Sequence, residues 1–229
     1  MVQQSNILDK IPIFLIYHKE ERLTASLKNF RDLDFKPVYI KGFDGRLLFG
    51  KWPMPHKIGT IGCYLSFLSA FNAAKREKPE YVIIGEDDMY FVENAREKFE
   101  KMFTELPSDW EAVFLGKYNF EDAVVTRINS TIVEVDKFHG HHAVLYKYQT
   151  LLKVLEETER YIDEAFDLRI ISMKEKIRIY AAEPHICEAK SNLVKNNTFK
   201  STTDDENDEE CIFRLEIRNK IMKNNEINE

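Results

Sequence analysis

An α/β protein, with a mixed but mainly parallel sheet flanked by helices in a single domain, is predicted by three observations. Short runs rich in Val, Ile, Tyr and Phe alternate with amphipathic helical patterns, the signature of strands joined by helical crossovers. The apolar run YVIIG (81 to 85) breaks off into three consecutive acids, Glu86, Asp87 and Asp88. The chain is 229 residues long, 44% hydrophobic and 12% aromatic, enough to bury a full core.

The elements follow in order. IPIFLIY (11 to 17) reads as the first strand and KEERLTASLKNF as the helix after it. KPVYI (36 to 40) is the second strand. GTIGCYLSFLSAFNAAKREK carries Leu65, Leu68, Ala70 and Phe71 near helical spacing and is closed by Pro79. EYVIIG (80 to 85) is the strand that ends in the acids, and ENAREKFEKMFTEL puts Phe99 and Phe103 on one helical face. EAVFLG (111 to 116) is a further strand, while AVVTRI (123 to 128) and TIVEV (131 to 135) flank Asn129 and Ser130 as a hairpin. HHAVLY then reads as a strand, LLKVLEETERY and IDEAFDLRIISMKEK as helices, and IRIYAAEP as a last strand stopped by Pro184. From 199 to 229 the composition turns acidic and polar and predicts a partly disordered tail after a domain spanning 1 to 198.

Charge narrows the function. The 33 basic and 39 acidic residues give a net charge of −6 without a Lys/Arg-rich block in the globular part, which argues against nucleic acid as a partner. The opening apolar stretch is too short for a signal peptide or a spanning helix, so a cytoplasmic protein with no integral membrane segment is expected. Cys63, Cys187 and Cys211 are odd in number and lack metal-type spacing.

The acids carry the chemistry. Ligands of open α/β sheets bind beyond the carboxyl ends of strands, and three adjacent acids at such an end repel one another unless a cation joins them. Mg²⁺ and Mn²⁺ prefer carboxylate oxygens and commonly combine one or two protein carboxylates with substrate phosphate. Glu86 and Asp88, two apart in an extended chain, face one ion, with Asp87 pointing away or accepting backbone N–H groups. A nucleotide diphosphate is the natural co-ligand. The plain alternative is a solvated acidic turn before the helix that begins near Glu93.

The segment GCYLSFLSAFNAAKREKPEYVIIGEDDMYF resembles the core signature of glycosyltransferase family 25, the lipopolysaccharide-biosynthesis and procollagen galactosyltransferase group, in which G-C-x-x-S-H, a helix and an apolar strand lead to E-D-D-x-x-F. Gly62, Cys63, Leu65, Ser66, Glu86, Asp87, Asp88 and Phe91 match in register. IFLIYHKEER with Arg22, GFDG with Asp44 and Gly45, WEAVFLG, GHHAVLY, YIDE and EPHICEAKSNL resemble further pieces in the family's order, over about residues 11 to 193. The pattern's His after L-S is Phe67 here, and the N-L of its first strand is absent.

The resemblance implies a GT-A-like, Rossmann-type fold and a metal-dependent inverting hexosyltransferase. Such an enzyme moves a sugar from a UDP-sugar, galactose or glucose favoured, to a hydroxyl of a glycan or protein acceptor. It implies Mn²⁺ or Mg²⁺ at Glu86 and Asp88, with His142 donating to the diphosphate or completing the metal shell. Arg22, Asp44, Ser66 and Asp87 are the implied donor contacts. Inversion in one displacement needs a carboxylate base at the acceptor hydroxyl: Asp163 matches the family's P-(I/V)-D position, and Asp167, one helical turn on, is the second candidate. His141 and His142 are expected to face opposite sides of their strand. His185, after Pro184, is a further candidate for metal or phosphate contact. A metal-dependent phosphate hydrolase or nucleotidyltransferase, and a non-catalytic degenerate relative acting as a binding module, remain as alternatives.

Overall fold

The computed structural model describes residues 7–45, 58–160 and 165–189. Asp163 and the expected tail lie outside these residues, as does the side chain of Arg22. The strands and helices are β1 (Ile13–Tyr17), α1 (Glu20–Asp32), β2 (Val38–Lys41), α2 (Ile58–Glu77), β3 (Tyr81–Glu86), β4 (Met89–Phe91), α3 (Ala95–Glu105), β5 (Ala112–Phe114) and β6 (Tyr118–Asn119). They continue with β7 (Val125–Arg127), β8 (Ile132–Val135), β9 (Phe138–His139), β10 (Ala143–Lys147), α4 (Tyr148–Arg160), α5 (Phe166–Ser172), β11 (Ile179–Ala182) and β12 (Cys187–Ala189).

Eight strands form one sheet in the order β2-β1-β3-β10-β5-β11-β8-β7. Neighbours β1–β2, β1–β3 and β5–β11 are parallel, and β10 and β8 run against the other six. The predicted sheet is therefore mixed in its pairings although most strands share one direction. Reversed β10 sits between β3 and β5, with Ala143 opposite Gly85 and Val144 opposite Phe114. The predicted hairpin forms as β7 against β8, Val125 opposite Val135. Two short ribbons, β4 with β12 and β6 with β9, were not legible as periodic patterns because each strand is two or three residues long.

Helices cover both faces of the sheet, which is why β1, β3 and β10 are apolar almost throughout rather than alternating. Phe14, Ile84, Phe114, Val144 and Tyr146 pack with Tyr64, Phe67 and Phe71 of α2, Leu151 and Leu155 of α4 and Phe166 of α5. Ile13, Leu15, Ile83, Val113 and Leu145 face the other way, onto Phe30 of α1 and Phe99 and Met102 of α3. Burying each such side chain stabilises the fold by about 1.5–3 kcal/mol. The expected helix over 162 to 176 is shorter: α5 is followed at Met173–Glu175 by a 3₁₀ turn.

Candidate active site

The carboxyl end of β3 is held from three sides before any ligand is considered. Asp87 is buried, and its Oδ2 accepts the backbone N–H of His18 at 3.0 Å, tying the acidic turn to the end of β1. The Glu86 N–H donates to the His142 carbonyl at 3.2 Å, tying it to the start of β10. The Asn29 amide of α1 donates to the Phe91 carbonyl at 3.1 Å, and its Oδ1 accepts the Phe91 N–H at 2.9 Å, serving β4 as a substitute strand partner. Asp87 is thus the scaffold acid of the three, while Glu86 and Asp88 are half-buried at the rim.

Helix α2 supplies the floor. Gly62 lets the loop after β2 approach, since a Cβ there would lie 2.6 Å from the Phe43 carbonyl oxygen and 2.8 Å from the Gly45 nitrogen. Ser66 clamps the same loop: its hydroxyl accepts the Phe43 N–H at 2.8 Å and donates to the Gly62 carbonyl at 2.6 Å. This buried hydroxyl holds the loop that carries Asp44, a half-buried residue. Cys63 Sγ donates to Glu86 Oε1 at 3.8 Å. Its thiol is pushed well up by burial first, then by the negative charges of Glu86, Asp167 and Asp88, so it remains a neutral donor. Carboxylates from β3, its following turn and α5 therefore all push this thiol toward its neutral form.

Asp167 lies in the first turn of α5, where negative charge is favoured by the helix dipole. Its Oδ2 accepts the Gly140 N–H at 2.9 Å and its Oδ1 the Leu168 N–H at 2.9 Å.

The two histidines before β10 diverge as expected. His141 enters the core, its ring 4.4 Å from Phe67 and its Nε2 sharing a 2.6 Å hydrogen bond with the Tyr146 hydroxyl. Burial lowers its pKa to about 3. His142 turns to the other side, beside Tyr118 and Gly116. It is 3% exposed, and burial lowers its pKa to about 4, with His185 and His139 adding to the shift and the Cys187 carbonyl opposing it. Its Nε2 makes no aligned hydrogen bond among the described residues. Gly116 is required here, because a Cβ would fall 1.8 Å from the Cys187 oxygen and 2.6 Å from His142 Nε2.

Phe67, standing where the family pattern has His, is 1% exposed and stacks on Phe166 at 4.5 Å. That departure is absorbed by the core. Sequence reasoning missed Asn29, whose role is invisible without the fold, and the hydrogen bond of Cys63 to Glu86. No helix among the described residues is long and apolar enough to cross a membrane.

The mixed α/β sheet carries Glu86, Asp87 and Asp88 at and just beyond the carboxyl end of β3. The family model "Glycosyltransferase family 25 (LPS biosynthesis protein)" matches residues 57–218, and the chain belongs to that family. The match runs beyond residue 199, where the sequence pattern places the tail. The chain is 26% identical over 139 residues, 58% of its length, to a Bos taurus protein named "Probable inactive glycosyltransferase 25 family member 3". It is 24% identical over 169 residues, 64% of its length, to the "Procollagen lysyl hydroxylase and glycosyltransferase" of Acanthamoeba polyphaga mimivirus. It spans 20% and 19% of those two relatives. Among solved structures it is similar to a glycosyltransferase involved in glycosylation of the major capsid of PBCV-1, with TM-score 0.44 and 10% identity over 75% of this chain and 81% of that one.

Proposed function

We propose that this chain transfers a hexose from a UDP-sugar, galactose or glucose, to a hydroxyl acceptor with inversion at the anomeric carbon. The observation that supports the reading is the position of Glu86 and Asp88 at the carboxyl end of β3, with Cys63 donating to Glu86 Oε1 at 3.8 Å, in a chain of this family.

The donor set fits a hard divalent cation. Glu86 and Asp88 offer carboxylate oxygens at the rim, whereas Asp87 is committed to His18. Two carboxylates would hold such an ion together with diphosphate oxygens and water, and His142 would donate to the diphosphate or complete the metal shell. Bound there, Mn²⁺ or Mg²⁺ supplies Lewis-acid stabilisation of the leaving diphosphate. Cys63 orients Glu86, and Asn29 and Asp87 hold the turn rigid. Asp167, oriented by the Gly140 and Leu168 amides, takes the proton from the acceptor hydroxyl as the sugar is displaced. Asp163, outside the described residues, is the competing base.

The test is calorimetric titration of UDP with Mn²⁺, with EDTA and with Asp88→Ala, followed by release of free sugar from UDP-galactose and UDP-glucose. Metal-dependent binding lost in the variant, with slow sugar release, supports the reading. Absence of UDP binding by the folded protein rejects it. The second reading, a non-catalytic binding module, is favoured by the word "inactive" in the bovine relative's name, and it predicts no sugar release from any donor.

A further inference from the structure

The eight-stranded sheet ends in two edge strands of opposite character, β2 and β7. β2 follows Lys36 and Pro37 and closes on Lys41, and lysine and proline are residues that keep a strand edge from pairing with another chain. β7 has no such protection. The stretch AVVTRI (123 to 128) contains no Pro, no Lys and no acid, and it presents Val124 at 62% exposure, Val125 at 46% and Ile128 at 41%. Among the described residues no strand lies beyond it.

Backbone bonding decides which groups of β7 turn outward. The Asp136 N–H donates to the Val124 carbonyl at 3.2 Å and the Ile128 N–H to the Ile132 carbonyl at 3.0 Å, so Val124 and Ile128 bond inward, toward β8. Inward bonding alternates along an antiparallel ladder, and with Thr126 opposite Glu134 the N–H and C=O groups of Val125 and Arg127 point away from the sheet. An added antiparallel strand must bond to Val125 and Arg127. Of the two-fold registers in which one β7 meets another in this way, centring on Arg127 sets like charges directly opposite, which is destabilising. Centring on Val125 sets Val124 opposite Thr126 and leaves Ile128 unmatched. Centring on Thr126 sets Val124 opposite Ile128 twice over, and each Arg127 opposite a Val125, so the apolar side chains meet and the arginines stay apart.

We propose that the partner of this edge is a second copy of this chain: two β7 strands pair antiparallel about Thr126 and join the two sheets into one. The self-complementary pattern is what singles out a second copy, because the strand's one charge and its exposed apolar residues are both satisfied by its own sequence reversed. The contact is short, so the dimer is weak and reversible, with a Kd on the order of 1–100 μM. β10, β5, β11 and β8 separate this edge from the acids of β3, and the inference does not rest on the transferase reading.

Sedimentation equilibrium of the full chain over a concentration series tests it. A monomer–dimer equilibrium is expected, and a monomer that persists to about 500 μM, well above the expected Kd, overturns the proposal. Val124→Lys combined with Ile128→Lys brings like charges together on both sides of the two-fold axis and is expected to weaken the dimer by at least about ten-fold. Val124→Lys combined with Ile128→Glu sets opposite charges in the same places and is expected to restore it. Both positions are exposed, and thermal melts check that the two variants fold alike. Val125→Pro removes an outward N–H without taking a bond from β8 and is expected to leave a monomer. Equal dimerisation by the two charge variants, or a dimer unaffected by Val125→Pro, places the contact elsewhere and overturns the proposal.

Discussion

The Asp167 carboxylate accepts the Gly140 backbone N–H at 2.9 Å, and this one bond joins the start of α5 to the turn that leads into β10. Gly140 has φ +99°, a conformation open to glycine, and a Cβ would press within 3.2 Å of His142 Nδ1 and Tyr118 Cδ2. The candidate base and the turn before β10 are thereby coupled in position.

Asp167→Asn keeps an oxygen to accept the Gly140 amide but cannot take a proton. The expected outcome is a loss of turnover of about 10²- to 10⁴-fold with UDP affinity retained, measured as sugar transfer or donor hydrolysis beside calorimetry. Retained turnover would assign the base to Asp163.

The three consecutive acids separate by role. Glu86→Gln and Asp88→Ala are expected to abolish the Mn²⁺ dependence of UDP binding while leaving the melting temperature near wild type. Asp87→Ala instead leaves the part-buried His18 N–H without its carboxylate, at a cost of about 1–3 kcal/mol read as a fall in melting temperature.

Gly116→Ala drives a Cβ against the Cys187 carbonyl at 1.8 Å, a contact with backbone that no side-chain rotation relieves. Destabilisation of roughly 3 kcal/mol or failure to fold is expected from thermal melts. Wild-type stability in this variant would mean that the start of β12 is not seated against Leu115 and Gly116, just past β5.

His141 is held neutral in the core, its pKa lowered to about 3 by burial. Its unfolded form binds a proton near pH 6.5, so stability is fully present above that value and declines as pH falls toward 3, by about 1.4 kcal/mol per unit from this group. Urea midpoints at pH 7, 6 and 5 measure the slope. His141→Phe is expected to be less stable at pH 7, having stranded the Tyr146 hydroxyl, but to lose part of that acid sensitivity.

Strand order is where local reading ended. Apolar runs such as YVIIG and HHAVLY announce strands whatever their partners, because burial on both faces demands continuous hydrophobicity. Nothing in HHAVLY states that it runs backwards between β3 and β5, since direction depends on how α4 and the preceding ribbons lead the chain. The same limit applies to the β4–β12 pair, whose three residues each are too few for a period.

For the site, local reading was enough to see which residues carry charge, that Glu86, Asp87 and Asp88 end a buried strand, and that His141 and His142 part company. An extended chain turns successive side chains to opposite sides, which decides the last of these points locally although β10 itself begins only at Ala143. It took the folded chain to show that Asp87 serves as scaffold, that Ser66 spends its hydroxyl on the loop of Asp44, that Asp167 accepts the amide of Gly140, and that Phe67 belongs to the core. Each of these depends on groups 20 to 100 residues apart meeting, and such meetings are set by packing and hydrogen-bond satisfaction over the whole fold rather than by any local period.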